Sequence, residues 1–334
     1  MTVAPHAIPG PVPAQIRRGL NHPDAFAPLY EQVRSELESN ALNRSLTDTS
    51  SLPAEPKLMA EFGVSRGTLR RAIDELTREG LLVAEQGRGT YVSQEERVRR
   101  VVWSRLRAVA LPDSRFDLEL RHYVPDFAGR AKADARVLKQ AAWSDASTVF
   151  VMPDNSLRSL RHKALLAGKR LLVPTFGFRR GVIVLDGAAI DDADKAIAAT
   201  LDGMEQVGSP LTVRQARGLH VDLVLTGATA ASRDGRVIGR GEPLLGIAWA
   251  AMEDLGLVGA AVRIIAVIHD CQLIASDVPA VPEIVVDLLA SPSQLIHCEP
   301  GASPVGGRGA QVSIPAAELR GFLTGRRTRS TDTF

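Results

Sequence analysis

Cysteine is nearly absent: the 334 residues include two thiols, Cys271 and Cys298. This excludes a disulfide framework and suits a reducing compartment. No run of about 18 apolar residues occurs, so no membrane-crossing helix is expected. The opening MTVAPHAIPGPVPAQIRRGL is broken by proline and lacks the basic-then-apolar order of a secretory leader; the expected setting is the cytoplasm. An excess of charge of one sign is also missing, since 40 basic and 38 acidic residues leave a net charge of +2. That balance argues neither for nor against a polyanionic partner. The histidines and cysteines are scattered without zinc-site spacing, so no metal is expected. The chain carries no Cys–His signature and no GxxxxGK[ST] phosphate loop. No catalytic residue is assigned.

What is present is apolar material for a sizeable core, 45% of residues, in a length that suits about two domains. Residues 1–23, rich in proline, and 301–334, rich in Gly, Ser, Thr and Arg, are expected to be loose tails. Residues 24–93 are dense in helix signals and then turn signals. QEERVRRVVWSRLR, 94–107, reads as a linker helix. From 108 to 300, short β-branched runs recur at 148–152, 170–174, 181–186, 221–227, 262–270 and 283–289. Helix-like stretches lie at 129–142, 156–168, 191–203 and 244–256. Near-continuous apolar strands alternating with helices predict a mainly parallel sheet covered on both faces.

Within the first module, Leu58, Met59 and Phe62 mark one face of a short helix. The chain turns at Gly63, and Ser65 caps a second helix. Leu69, Ala72, Ile73 and Leu76 form its core stripe. Arg66, Gly67, Arg70, Arg71 and Asp74 lie off that stripe. Gly80 ends the helix, and LLVAE and TYVSQ make a hairpin across Gln86-Gly87-Arg88-Gly89. Helix, turn, helix and hairpin is the winged helix-turn-helix plan, in which the second helix enters a DNA major groove and the hairpin tip touches the adjacent backbone. The candidate DNA-binding residues are Lys57, Ser65, Arg66, Thr68, Arg70, Arg71, Arg88 and Gly89. The module as a whole has more acidic than basic residues, so bulk charge does not announce this role.

The segment resembles the DNA-binding domain of the GntR family of bacterial transcription regulators. The resemblance rests on Tyr30-Glu31-Gln32-Val33, Leu52-Pro53-Ala54-Glu55, Gly63-Val64-Ser65-Arg66, Thr68-Leu69-Arg70-Arg71-Ala72, Glu79-Gly80-Leu81 and Gly87-Arg88-Gly89-Thr90-Tyr91-Val92. Two positions depart from the family pattern: Pro56 stands where a DNA-contacting Arg is usual, and Gly67 where Thr is frequent. The resemblance therefore implies operator binding with weakened or altered recognition.

The second module resembles the methenyltetrahydrofolate synthetase (5-formyltetrahydrofolate cyclo-ligase) family, whose fold is a three-layer α/β sandwich. The collinear pieces are Val124-Pro125-Asp126-Phe127-Ala128-Gly129, Met152-Pro153-Asp154-Asn155, Leu160-Arg161, Ala164-Leu165-Leu166-Ala167-Gly168-Lys169, Val221-Asp222-Leu223-Val224 with Thr226-Gly227, Gly235-Arg236-Val237-Ile238-Gly239-Arg240-Gly241-Glu242, and Val267-Ile268-His269-Asp270-Cys271-Gln272. In active members a glycine-rich loop cradles a triphosphate and ends in an aromatic and an aspartate that serve substrate and magnesium. Here GRVIGRGEPLLGIAW, 235–249, keeps Gly235, Gly239, Arg240 and Gly241. It places Val237 at the expected Arg, Pro243 at a glycine, Leu244 at the aromatic, Gly246 at the aspartate and Ala248 at a following glutamate. The resemblance implies a decayed active site with a surviving anion-binding start. The candidate ligand-binding residues are Arg161, Gly227, Gly239, Arg240, Gly241, His269 and Asp270.

The combined reading is α/β overall: an N-terminal winged helix-turn-helix (24–93), a linker helix (94–107) and a C-terminal cyclo-ligase-like effector domain (108–300) forming a three-layer α/β sandwich with a mainly parallel sheet. It describes a GntR-type regulator with a double-stranded DNA operator as partner. The second domain senses a small effector (a folate, another pteridine, a nucleotide or a vitamin-related metabolite) or mediates homodimerisation. A dimer is expected because one recognition helix reads few bases. In this reading the linker helix, with Val98, Val101, Val102 and Leu106 near one stripe, transmits the ligand state. The alternative is an ATP-dependent 5-formyltetrahydrofolate cyclo-ligase that carries a DNA-binding domain.

Overall fold

The computed structural model describes residues 27–44, 51–85, 87, 89–175, 178–239, 244–259, 261–274, 285–298 and 321. The expected tail 1–23 lies outside them, as does 301–334 apart from Gly321. The chain divides into two compact units, Met1–Arg97 and Val98–Phe334.

The first unit contains α1 (Leu29–Arg44), α2 (Glu55–Phe62), α3 (Arg66–Arg78) and a hairpin of β1 (Leu82–Glu85) and β2 (Gly89–Val92). Pro56 sits in the first turn of α2, where a missing N–H costs nothing. Gly63 ends the helix at φ 65°, a left-handed conformation that favours glycine. Ser65 caps α3 by accepting a hydrogen bond from the Thr68 N–H. Val33 and Leu37 of α1 meet Leu58, Phe62, Leu69, Ala72, Leu76, Leu82 and Val92 in one buried core. The predicted stripe of α3 is thus its buried face, with Ile73 half-buried at its margin. The hairpin is antiparallel, with Leu82 opposite Val92 and Glu85 opposite Gly89.

Helix α4 (Gln94–Leu106) begins in the first unit and continues into the second. The second unit then contains α5 (Arg130–Leu138), α6 (Ala141–Ser144), β3 (Thr148–Val151), α7 (Arg158–Leu166), β4 (Arg170–Pro174), β5 (Val182–Asp186), α8 (Lys195–Ala198), α9 (Met204–Val207), β6 (Ser209–Pro210) and α10 (Val213–Ala216). After these come β7 (Leu223–Thr226), β8 (Ala230–Ser232), β9 (Val237–Ile238), α11 (Leu244–Asp254), β10 (Arg263–Val267), β11 (Leu273–Ile274), β12 (Leu288–Ala290) and β13 (Leu295–His297).

Eight strands form one sheet in the order β13-β12-β10-β7-β3-β4-β5-β6. The five central strands are parallel, and β13, β5 and β6 are antiparallel additions at the edges. Every residue of β3 and β7 is buried. Successive side chains point to opposite faces of a strand, so both faces of the sheet are covered. A second sheet has three short strands in the order β11-β8-β9. The stretch expected to be helical at 191–203 contains only the single turn α8. Asp191, Asp192 and Asp194 favour turns there, and Gly203 follows.

Strand β3 leads to β4 on one side of the sheet, whereas β7 lies on the other side of β3 and leads outward to β10 and β12. The direction of winding therefore reverses between β3 and β7. In open parallel sheets a crevice opens at the carboxyl ends of the two strands that flank such a reversal.

Candidate functional site

A small cleft, about 50 Å³, occupies that position. Met152, Pro153 and Asp154 line it from the end of β3, and Thr226, Gly227 and Ala228 from the end of β7. Val124, Val237, Gly239, Leu244 and Leu245 complete the wall. Asp154 Oδ2 accepts the Gly227 N–H at 2.8 Å, which joins the two strand ends across the reversal. A Cβ at Gly227 would lie 2.8 Å from Val124 Cγ1, 3.0 Å from Asp154 Oδ2 and 3.1 Å from Ser156 Oγ. Gly227→Ala is therefore expected to cost about 1–3 kcal/mol of stability by overpacking, read in urea unfolding as an earlier transition of the second unit.

The described residues of the cleft do not by themselves provide the groups that would hold a magnesium–triphosphate. No Lys or Arg stands among its described lining residues, and its carboxylate there is Asp154. Gly246 and Ala248, at the positions expected to bear carboxylates, are buried within α11. Among the described residues, no group of three or more His, Cys, Asp or Glu is arranged to hold a metal ion. Apart from Asp154 and the Thr226 hydroxyl the described lining side chains are apolar, and the Asp154 carboxylate can offer an acceptor to a nitrogen-rich ring edge.

Of the candidate ligand residues, the structure brings Gly227 and Gly239 together in the cleft. Arg240 and Gly241 lie outside the described residues. Arg161 is 1% exposed and sits behind the strand ends. Its Nε donates to the Ala199 carbonyl at 2.9 Å, and one Nη donates to the carbonyls of Met152 and Asp154 at 3.3 and 3.0 Å. Burial pushes the guanidinium down to about 10, although the Asp154 carboxylate opposes the shift; it remains a cation at neutral pH.

His269 and Asp270 follow β10 but are not among the described residues lining the cleft. The His269 ring packs edge-on against Phe127 at 5.5 Å, and its Nδ1 accepts the Cys271 N–H. Asp270 accepts hydroxyl bonds from Ser291 and Ser293. Burial pushes its carboxyl up, but these bonds outweigh it and hold the group below the usual range. The pair thus braces the β10 and β12 ends.

Two site features escaped the sequence reading. Asp154 lay within a quoted motif without being given a role; its place directly after a central strand was the available signal. Gln272 is buried and donates to the Ala228 and Thr229 carbonyls, which fixes the back of the cleft.

Asn155, next to Asp154 in the chain, donates to Asp113 Oδ2 at 2.6 Å. Arg115 clamps the same carboxylate through its guanidinium and its backbone N–H. The Arg115 side-chain bond above all holds Asp113 well below the usual carboxylate range, against the opposing effect of burial. A depressed carboxyl contributes stability that is present above its unfolded value of about 3.9 and is lost as pH falls toward its folded value. Acid unfolding monitored below pH 4 is expected to be less pH-dependent in Asp113→Asn than in wild type.

In the first unit, α3 presents Ser65, Arg66, Thr68 and Arg70 at its exposed start. Glu55 of α2 holds two of these side chains. Its carboxylate accepts from Arg66 Nε at 3.0 Å and from Arg70 Nε at 3.1 Å. The Arg70 bond leads the effects that draw the Glu55 carboxyl below its usual range. Arg71 is directed differently: its guanidinium lies 3.7 Å over the Tyr30 ring and 3.6 Å from Glu75. Lys57 is exposed on α2. Gly89 takes φ +99°, a left-handed conformation that only glycine adopts readily. Arg88 lies outside the described residues. A Cβ at Gly67 would meet only Ser65 Oγ, at 3.9 Å, so the side chain usual at this position would fit without strain.

The 5-formyltetrahydrofolate cyclo-ligase family matches residues 92–286, more than half of the chain. The chain belongs to this family. Residues 29–92 match the bacterial regulatory proteins of the gntR family, so a GntR-type DNA-binding winged helix precedes the cyclo-ligase unit. The cyclo-ligase match begins at residue 92 and includes α4. Among curated relatives, a methenyltetrahydrofolate synthase domain-containing protein from Bos taurus is 29% identical over 213 residues, 61% of this chain and 54% of the relative. The chain spans about half the length of such relatives. A histidine utilization repressor from Klebsiella aerogenes is 43% identical over 70 residues, 21% of this chain and 29% of that protein.

Solved structures include the AraR DNA-binding domain in complex with operator ORE1, 42% identical over 20% of this chain and 83% of that chain, with a TM-score of 0.19. The 5,10-methenyltetrahydrofolate synthetase of Aquifex aeolicus is 12% identical over 64% of this chain and 96% of that chain, with a TM-score of 0.41. No helix among the described residues of this cyclo-ligase family member is long and apolar enough to cross a membrane.

Proposed function

We propose that the protein is a GntR-type transcription regulator whose cyclo-ligase unit senses a small metabolite at the cleft between β3 and β7. The observation that supports this most is the cleft itself. It keeps the position expected of a ligand site at a sheet reversal, yet its described lining lacks the cations and paired carboxylates that phosphoryl chemistry requires. Apolar walls and the Asp154 carboxylate favour a neutral or cationic nitrogen heterocycle. A folate or other pteridine, a nucleotide recognised by its base, or a vitamin-related metabolite are the effector classes to screen. Operator binding is assigned to the exposed start of α3, with Arg66 and Arg70 as base- or phosphate-directed donors. Two copies on a two-fold operator double the contact set.

The reading is tested with the full chain. A salt-sensitive shift of DNA from upstream of its own gene, together with a metabolite that raises Tm and changes operator affinity, is the expected result. Enzyme-like turnover of 5-formyltetrahydrofolate with ATP and magnesium would overturn it in favour of a cyclo-ligase.

A further inference from the structure

Strand β9 touches two different things with its two residues. Val237 lines the cleft. Ile238 points the other way, as alternation along a strand requires, and packs with Val98 and Val102 of α4 in a cluster that also holds Ala230 and Ile274. The next residue, Gly239, both lines the cleft and accepts a hydrogen bond from Arg99 Nε of α4 at 2.8 Å. Arg99 is 1% exposed. A guanidinium so deeply buried has to keep its acceptors, so it follows the carbonyl that it binds.

The cleft is far smaller than the roughly 300–1,000 Å³ of ordinary ligand pockets. A heterocycle enters only if a wall moves. Strands β3 and β7 lie in the middle of an eight-stranded sheet and are fixed on both sides, whereas β9 has two residues and is the edge of a three-stranded sheet. The start of β9 is pinned, because the Gly235 carbonyl accepts the Val286 N–H at 2.8 Å. Among the described residues β9 pairs with β8 alone, the Ile238 carbonyl accepting the Thr229 N–H at 2.9 Å, so the wall that yields is β9 at Ile238 and Gly239.

We propose that β9 is a lever between the cleft and α4: filling the cleft displaces Ile238 and Gly239, and Arg99 carries the displacement into the helix that continues from the winged helix. This rests on reading the cleft as the effector site, and it names the residues through which that site regulates. A ligand can bias α4 only by binding its two arrangements unequally, and cleft opening supplies that difference.

The test fills the cleft without needing the effector. Ala228→Leu and Leu245→Phe each place added bulk in the cleft of the full chain, and amide hydrogen exchange is followed in α4 (98–106) and, as a control, in α5 (130–138). The expected result is at least about fivefold faster exchange in α4, the lower end of ordinary allosteric coupling, with α5 unchanged. Adding Arg99→Gln to either variant is expected to shrink the α4 response. Use of two fillings keeps the test decidable if one variant melts early. Unchanged α4 exchange in a filled, cooperatively melting variant overturns the lever. Wild-type protein titrated with 5-formyltetrahydrofolate separates the two readings. If this probe raises Tm while α4 exchange stays unchanged, the lever falls and the sensing site stands. If filling moves α4 while the metabolite panel leaves Tm unchanged, the lever stands and the sensing site falls.

Discussion

Arg66→Ala is expected to weaken operator binding by about 1–3 kcal/mol, roughly 5- to 150-fold at fixed salt. Arg66 is the first residue of α3, beyond the Ser65 cap, where a recognition helix meets base edges. Its side chain is 61% exposed and is oriented by Glu55 rather than free to sample rotamers. A donor fork held in place loses less conformational entropy when it meets a guanine edge or a phosphate. Arg71→Ala supplies the internal contrast. Because Arg71 rests on Tyr30 and Glu75, its loss is expected to change operator affinity far less than that of Arg66. Gel shift or anisotropy titration of both variants checks the pair. Equal losses would place Arg71 back among the groove-facing residues.

Arg161→Met is expected to lower the stability of the second unit by about 1–3 kcal/mol. The substitution keeps the apolar stem but removes the donors to the carbonyls of Ala199, Met152 and Asp154; the latter two still accept the N–H groups of Asp154 and Leu157, so the Ala199 carbonyl is the one that loses its donor. Each buried acceptor left without a partner costs about 1–3 kcal/mol. Urea unfolding should follow two probes, one in each unit, since a two-unit chain need not melt in one transition. The sequence marks Arg161 as a candidate ligand-binding residue. If that role were correct, Arg161→Met would keep its unfolding midpoint and lose ligand binding instead.

The strands that position the cleft were legible because central parallel strands are buried on both faces and so read as continuous apolar runs. TVFV and LVLT occur where β3 and β7 lie. The short sheet was not legible: Ala230–Ser232 has no β-branched residue, and Val237–Ile238 is only two residues long, so neither announces a strand. The turn and cap of the winged helix were visible because Gly63 and Ser65 have local conformational reasons to be there. Partner choice was not visible. Nothing in the spacing of Arg66, Arg70 and Arg71 distinguishes two arginines that share Glu55 from one that lies on Tyr30, because that distinction depends on where α1 and α2 pack. The partners of Arg161 were invisible for the same reason, since a basic residue on an amphipathic helix carries no mark of which buried carbonyls await it.

Glu55 has one more consequence, which concerns the ion atmosphere. DNA binding is normally driven by counterions that leave the phosphates when protein cations replace them. Arg66 and Arg70 arrive sharing one internal anion about 3 Å away, which offsets half of their combined charge. A generic stretch of backbone must compete with that carboxylate, whereas an operator that offers base edges adds directional bonds the carboxylate cannot match. If Arg66 and Arg70 contact DNA as proposed, the built-in counterion is expected to penalise random sites more than the correct one and so to sharpen the search for the operator.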